Sequence, residues 1–126
     1  MNILDKIIEQ KKIEVADSKK EISVNELKET EFFQRKTISL KQSLTSRSGI
    51  ISEFKRKSPS KGIINDNADV LEVTKSYEKF GASGISILTD ELFFGGKLKD
   101  ILKVRSEISI PILRKDFMID EYQFYE

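Results

Sequence analysis

The sequence predicts an α/β fold built on a parallel sheet, and three observations carry that prediction. Apolar runs with strand character recur at 50–54, 84–89 and 111–113. Helical periodicity fills the intervals at 69–80 and 98–104, so strand and helix alternate about every thirty residues. The run 84–89 lacks the polar alternation of a half-exposed strand and reads as one covered on both faces, as in a parallel sheet. A doubly wound sheet and a (β/α) barrel share this rhythm.

Each element has its own local reason. Across 2–20, Ile3, Leu4, Ile7, Ile8 and Val15 recur at three- and four-residue spacing between charged residues, which is an amphipathic helix. Asn2 is its expected N-cap, with Asp5 in the first turn where the helix dipole favours an acid. Weaker helical pieces follow at 24–33 and at 39–45, where Leu40 and Leu44 share a face. Residues 1–48 therefore read as a helical extension, and 49–126 as three βα units. The first strand, with Ile50, Ile51 and Phe54, feeds the turn-rich loop Ser58-Pro59-Ser60-Lys61-Gly62. Val70, Val73, Tyr77 and Phe80 mark a helix that Gly81 ends. Leu98, Ile101, Leu102 and Val104 mark the next, and a further helical pattern begins at 120–126. Three units would leave strand edges without neighbours, so the sequence is expected to be the N-terminal part of a larger fold.

Composition narrows the chemistry. The 126 residues hold 22 Lys plus Arg and 21 Asp plus Glu, a formal net charge of +1, which argues against a nucleic-acid partner. With no His and no Cys, triads, thiol nucleophiles, zinc fingers and disulfides are excluded, and acid–base work falls to Lys, Asp, Glu or Tyr. No apolar run reaches the roughly 18 residues of a membrane span, and residues 1–10 carry acids where a signal peptide would be basic and then apolar. A soluble, cytoplasmic chain with no membrane partner is the expectation. No Gly-rich nucleotide fingerprint and no metal-spaced acid cluster is present.

In parallel α/β folds, active residues gather where strands end. The first strand ends in Glu53, Lys55, Arg56, Lys57 and Ser58. Alternation puts Glu53 and Lys55 on one face opposite Phe54: a tuned proton-transfer pair if that face is a barrel interior, a surface ion pair if it is solvated. The third ends in Arg114-Lys115-Asp116-Phe117, where a one-residue slip decides whether Lys115 or its neighbours face inward. An inward Lys115 suits a general acid or an anion anchor; the alternative is an ion pair with Asp116 or a helix acid. After the second strand, Phe93-Phe94-Gly95-Gly96 follows Thr89-Asp90, either lining a pocket for a flat ligand or packing in the core.

Taken together, the blocks from Ile51 to Gly62, Tyr77 with Gly81-Ala82, Ser86 to Asp90 with Phe94-Gly95-Gly96, and Pro111 to Phe117 with Asp120, Tyr122 and Gln123 resemble indole-3-glycerol phosphate synthase in order and spacing. The resemblance covers nearly the whole sequence. It implies the N-terminal part of a (β/α)8 TIM barrel, preceded by the helical extension. It also implies an enzyme of tryptophan biosynthesis that closes the pyrrole ring of 1-(2-carboxyphenylamino)-1-deoxyribulose 5-phosphate with loss of carbon dioxide and water. The partner is then a phosphorylated small molecule, and no cofactor or metal is required. By the same resemblance Lys115 is the general acid, while Glu53 and Lys55 position substrate and tune that lysine. Ser58 and Pro59 belong to a substrate-contacting loop, and Phe94 and Phe117 lie near the anthranilate ring, with Phe93 as the alternative to Phe94.

A complete barrel of this class needs about 250 residues. The sequence is therefore expected to be a fragment that is inactive by itself. A half-barrel serving as an assembly module, self-associating through exposed strand edges, is the competing expectation.

Overall fold

A computed structural model describes all 126 residues. In chain order the elements are α1 (Ile3–Glu21), α2 (Val24–Lys28), α3 (Leu40–Ser46), β1 (Ile51–Phe54), β2 (Lys57–Ser58), β3 (Gly62–Ile63), α4 (Val70–Lys79), β4 (Gly84–Leu88), α5 (Leu98–Arg105), β5 (Ile112–Lys115) and α6 (Tyr122–Tyr125). They form two compact units, one of residues 37–116 and one of 1–36 with 117–126. No helix is long and apolar enough to cross a membrane.

The unit of residues 37–116 is built on a three-stranded parallel sheet in the order β1-β4-β5. Its register pairs Glu53 with Ser86, Ser86 with Leu113, and Leu88 with Lys115. Side chains alternate along a strand, so Glu53, Ser86, Leu88, Leu113 and Lys115 share one face and Phe54, Ile85, Ile87, Ile112 and Arg114 share the other. Helices α4 and α5 pack on the second face. There Phe54, Ile85, Ile87, Val70, Val104 and Ile110 form a buried core, each apolar side chain contributing about 1.5–3 kcal/mol. The first face is more open: Ile51 and Leu113 are 41% and 42% exposed. At its N-terminal end α3 approaches so closely that a Cβ on Gly84 would lie 2.6 Å from Leu40 Cδ1.

The helix ends follow their caps. Asp69 Oδ1 accepts from the amides of Leu71 and Glu72, which starts α4. Gly81 stops it at φ +97°, a left-handed conformation that costs glycine least. The turn-rich loop after β1 contains a small antiparallel hairpin, β2 with β3, which periodicity missed because each strand has only two residues.

The other unit joins α1 and α2 to the segment 117–126. Asn2 and Asp5 make a reciprocal capping box at the start of α1. The helical pattern at 24–33 yields only α2, after which residues 29–34 form turns and the Thr30 hydroxyl donates to the Leu27 carbonyl. Tyr122 Oη donates to the carbonyls of Ser18 and Ile22 at 3.0 and 2.7 Å, and Lys19 pairs with Asp120 at 2.7 Å. The C-terminal segment is thus fastened to the last turn of α1, where the Ser18 carbonyl also accepts from the Ile22 amide at 3.0 Å.

Candidate active site

The C-terminal ends of β1, β4 and β5 bring Glu53 and Lys115 to one face of the sheet, with Ser86 and Leu88 of β4 between them. The Ser86 hydroxyl donates to Glu53 Oε2 at 2.9 Å, which orients a carboxylate that is otherwise exposed. Glu53 makes no ion pair with Lys55. Lys55 lies one residue beyond β1 and is half-buried, so the regular alternation linking it to Glu53 ends at Phe54.

The register settles which residue of 114–116 shares the face of Glu53. It is Lys115, and its exposed ammonium makes no salt bridge or side-chain hydrogen bond. The alternative pairing with Asp116 does not form because that carboxylate is held elsewhere. Thr89 Oγ1 donates to Asp116 Oδ2 at 2.7 Å, and Arg114 Nη2 approaches the same oxygen at 3.5 Å.

The remaining candidates are more dispersed. Ser58 is buried, and its hydroxyl oxygen accepts from the Lys61 amide at 3.2 Å, a bond internal to the hairpin whose exposed tip is Pro59. Phe94 is half-buried, as is Phe93, in the loop after β4. Asp90 shapes that loop: Oδ2 accepts from the Phe93 amide at 2.9 Å and the carbonyl from the Gly96 amide at 2.8 Å. A Cβ on Gly96 would sit 1.9 Å from the Leu88 carbonyl oxygen, so only glycine fits. Phe117 belongs to the other unit, where its carbonyl accepts from Gln123 Nε2 at 2.9 Å.

Sequence reasoning missed three contributors. Ser86 carried a signal, a hydroxyl inside an otherwise apolar run; Thr89 carried little. Arg56 carried none that reached its partner. Its Nη1 and Nη2 grip Asp100 at 2.6 and 3.1 Å, Nη1 also donates to the Gly95 carbonyl at 3.1 Å, and the guanidinium stacks 4.9 Å from the Phe54 ring centroid. The bonds that Arg56 donates to Asp100, opposed by burial and aided by the charges of Asp100, Asp66 and Asp69, hold the Arg56 pKa above its ordinary value. The loop after β1 is in this way tied to the loop after β4. No group of three or more acidic side chains is placed to hold a metal ion.

The family profile described as indole-3-glycerol phosphate synthase matches residues 4–126. The chain belongs to that family. Among curated relatives, the indole-3-glycerol phosphate synthase of Bacteroides thetaiotaomicron is 51% identical over 126 residues, covering 99% of this chain and 48% of the relative. That of Bacillus mycoides is 48% identical over 121 residues, covering 96% and 45%. That of Leptospira interrogans is 51% identical over 90 residues, covering 71% and 36%. The chain spans about half the length of the first two relatives or less. Indole-3-glycerol phosphate synthases are TIM barrels, and the parallel β1-β4-β5 order with α4 and α5 on one face is part of that architecture.

Proposed function

We propose that this chain supplies the first three βα units, residues 49–126, of an indole-3-glycerol phosphate synthase barrel, with residues 1–48 as its helical extension. The reaction closes the pyrrole ring of 1-(2-carboxyphenylamino)-1-deoxyribulose 5-phosphate in the cytoplasm and needs no cofactor. A ring carbon of the anilino group attacks the ketone, and the carbonyl oxygen takes up a proton as negative charge develops on it. Loss of carbon dioxide restores electrons to the ring, and loss of water completes the indole.

Lys115 donates the proton to the carbonyl oxygen. An ammonium with no competing carboxylate suits that role, because an ion pair would have to break before each transfer. Glu53, oriented by Ser86, and Lys55 position the substrate, act on Lys115 through space without a contact ion pair, and help proton transfer. Ser58 and Pro59 lie in the first substrate loop; Phe94 and Phe117 flank the aromatic ring. The single observation that carries the reading is the shared face, with Glu53 bonded to Ser86 and Lys115 unpaired.

The test is a chimera in which this chain replaces the aligned part of the Bacteroides thetaiotaomicron relative, assayed for indole-3-glycerol phosphate by fluorescence. Turnover that disappears in Lys115→Ala supports the assignment; a folded chimera without turnover overturns it. The isolated 126-residue chain is expected to be inactive. The outer edges of β1 and β5 pair with no strand of the chain, so self-association is the accompanying proposal, read from sedimentation velocity across concentrations.

A further inference from the structure

Thr89 makes contact with three consecutive residues of β5 and its end. Its amide donates to the Lys115 carbonyl at 2.9 Å. Its hydroxyl accepts from Arg114 Nε at 3.1 Å and donates to Asp116 Oδ2 at 2.7 Å. These bonds are well sheltered: Thr89 is 6% exposed and the Asp116 side chain 3%. Arg114 lies on the helix-covered face, Lys115 lies on the opposite, open face, and Asp116 stands one residue beyond β5. The two residues flanking Lys115 are therefore anchored by one hydroxyl while Lys115 itself projects from the open face.

We propose that Thr89 is the positioning residue for Lys115. One backbone bond from Thr89 fixes the Lys115–Asp116 peptide, and its hydroxyl holds the side chains on either side, so the Cα–Cβ direction of Lys115 is set without any contact to the ammonium. The same hydroxyl occupies Asp116, the carboxylate nearest in sequence, and keeps it from quenching the lysine. A strand end is where backbone pairing is weakest, and Lys115 is the last residue of β5. Bracing at this point has the most to do.

The test separates bracing from general stability by comparing Thr89→Val, which keeps shape and amide but loses the hydroxyl, with Thr89→Ser, which keeps the hydroxyl. In the 126-residue chain, NMR order parameters of the Lys115 and Asp116 amides are expected near the rigid value of about 0.85, dropping toward about 0.6 in Thr89→Val and recovering in Thr89→Ser. The Phe54 amide on β1 should stay rigid throughout. Lys115 remaining as rigid in Thr89→Val as in the parent overturns the proposal. If Thr89→Val loses the sheet, Arg114→Met and Asp116→Ala remove the side-chain bonds singly, and the proposal stands only if each loosens Lys115. A kinetic arm rests on the reading of Lys115 as the acid. In an active chimera Thr89→Val should lower kcat about tenfold with KM within about twofold, and Thr89→Ser should restore it. An inactive parent chimera would sink the functional reading and leave the NMR result to decide the role of Thr89.

Discussion

Arg56 and Asp100, 44 positions apart, meet in a two-pronged ion pair at 2.6 and 3.1 Å. Their side chains are 15% and 8% exposed, and the pair joins the chain leaving β1 to the first turn of α5. Removing either member leaves the other charge partly buried without its main partner. Arg56→Ala and Asp100→Ala should each lower unfolding free energy by about 1.5–3 kcal/mol. The double variant should cost less than the sum, a coupling read from urea unfolding of the four proteins in a double-mutant cycle. Additive losses would show that the two loops are held together by something else.

Glu78 gives the sheet a pH-sensitive attachment at the opposite end. Burial raises its pKa, but hydrogen bonds from the Ser109 amide and hydroxyl and the Ile110 amide, helped by the charge of Arg47, outweigh that and hold it below its ordinary value. A folded-state pKa below the unfolded one gives stability that is present above the unfolded value, about 4.3, and is lost as pH falls through the folded value. Glu78→Gln should therefore flatten part of the stability loss between about pH 5 and pH 3, with its main deficit at neutral pH. Thermal unfolding across that range checks the sign. Parallel curves for the two proteins would remove Glu78 from the account.

Gly96 is a steric test of the loop after β4. A methyl group there would lie 1.9 Å from the Leu88 oxygen and 2.9 Å from Thr89 Cα, both backbone atoms that have little room to yield. Gly96→Ala should cost about 2–3 kcal/mol. It should also disturb the amides of Phe93 and Phe94 in an NMR spectrum, because the loop pivots on Asp90. Gly62→Ala, with nothing within 4 Å of the added carbon, meets only the strain of φ +65° and should be milder.

Much of this architecture was legible in the residues. The alternation of apolar strands with 3.6-residue periodicity placed α4, β4, α5 and β5 to within a few positions, because each buries a face wide enough to leave a pattern. The Asn2 N-cap was legible because capping is local, whereas the reciprocal bond from the Asn2 amide to Asp5 emerged only in the structure. What escaped were pairings across the fold. Arg56 with Asp100 and Thr89 with Asp116 depend on which loops the sheet brings together, and no spacing along the chain encodes that. The facing of Lys115 was undecidable from sequence for the same reason: it follows from the register of β5 against β4, fixed by the burial of Ile112 beside Ile85.

Ser86 offers the sharpest separation of structure from chemistry. Its hydroxyl is buried in the middle of the sheet, and the bond to Glu53 Oε2 is the only hydrogen bond that the Glu53 carboxylate makes. Ser86→Ala removes one oxygen from a tightly packed strand, where the methyl fits and the exposed carboxylate can turn to water, so stability should change by less than about 1.5 kcal/mol. In the proposed reaction the effect should be larger than that cost implies. Freed from Ser86, Glu53 samples several rotamers and is placed for substrate positioning and proton transfer in only some of them, so kcat in the chimera should fall about tenfold. Lys115→Ala, which deletes the proton donor itself, should fall about 10²–10⁴-fold. If Ser86→Ala leaves kcat intact, Glu53 acts without that orientation. If it falls as far as Lys115→Ala, the serine hydroxyl is a proton donor in its own right, and the division of labour between β1 and β5 must be redrawn.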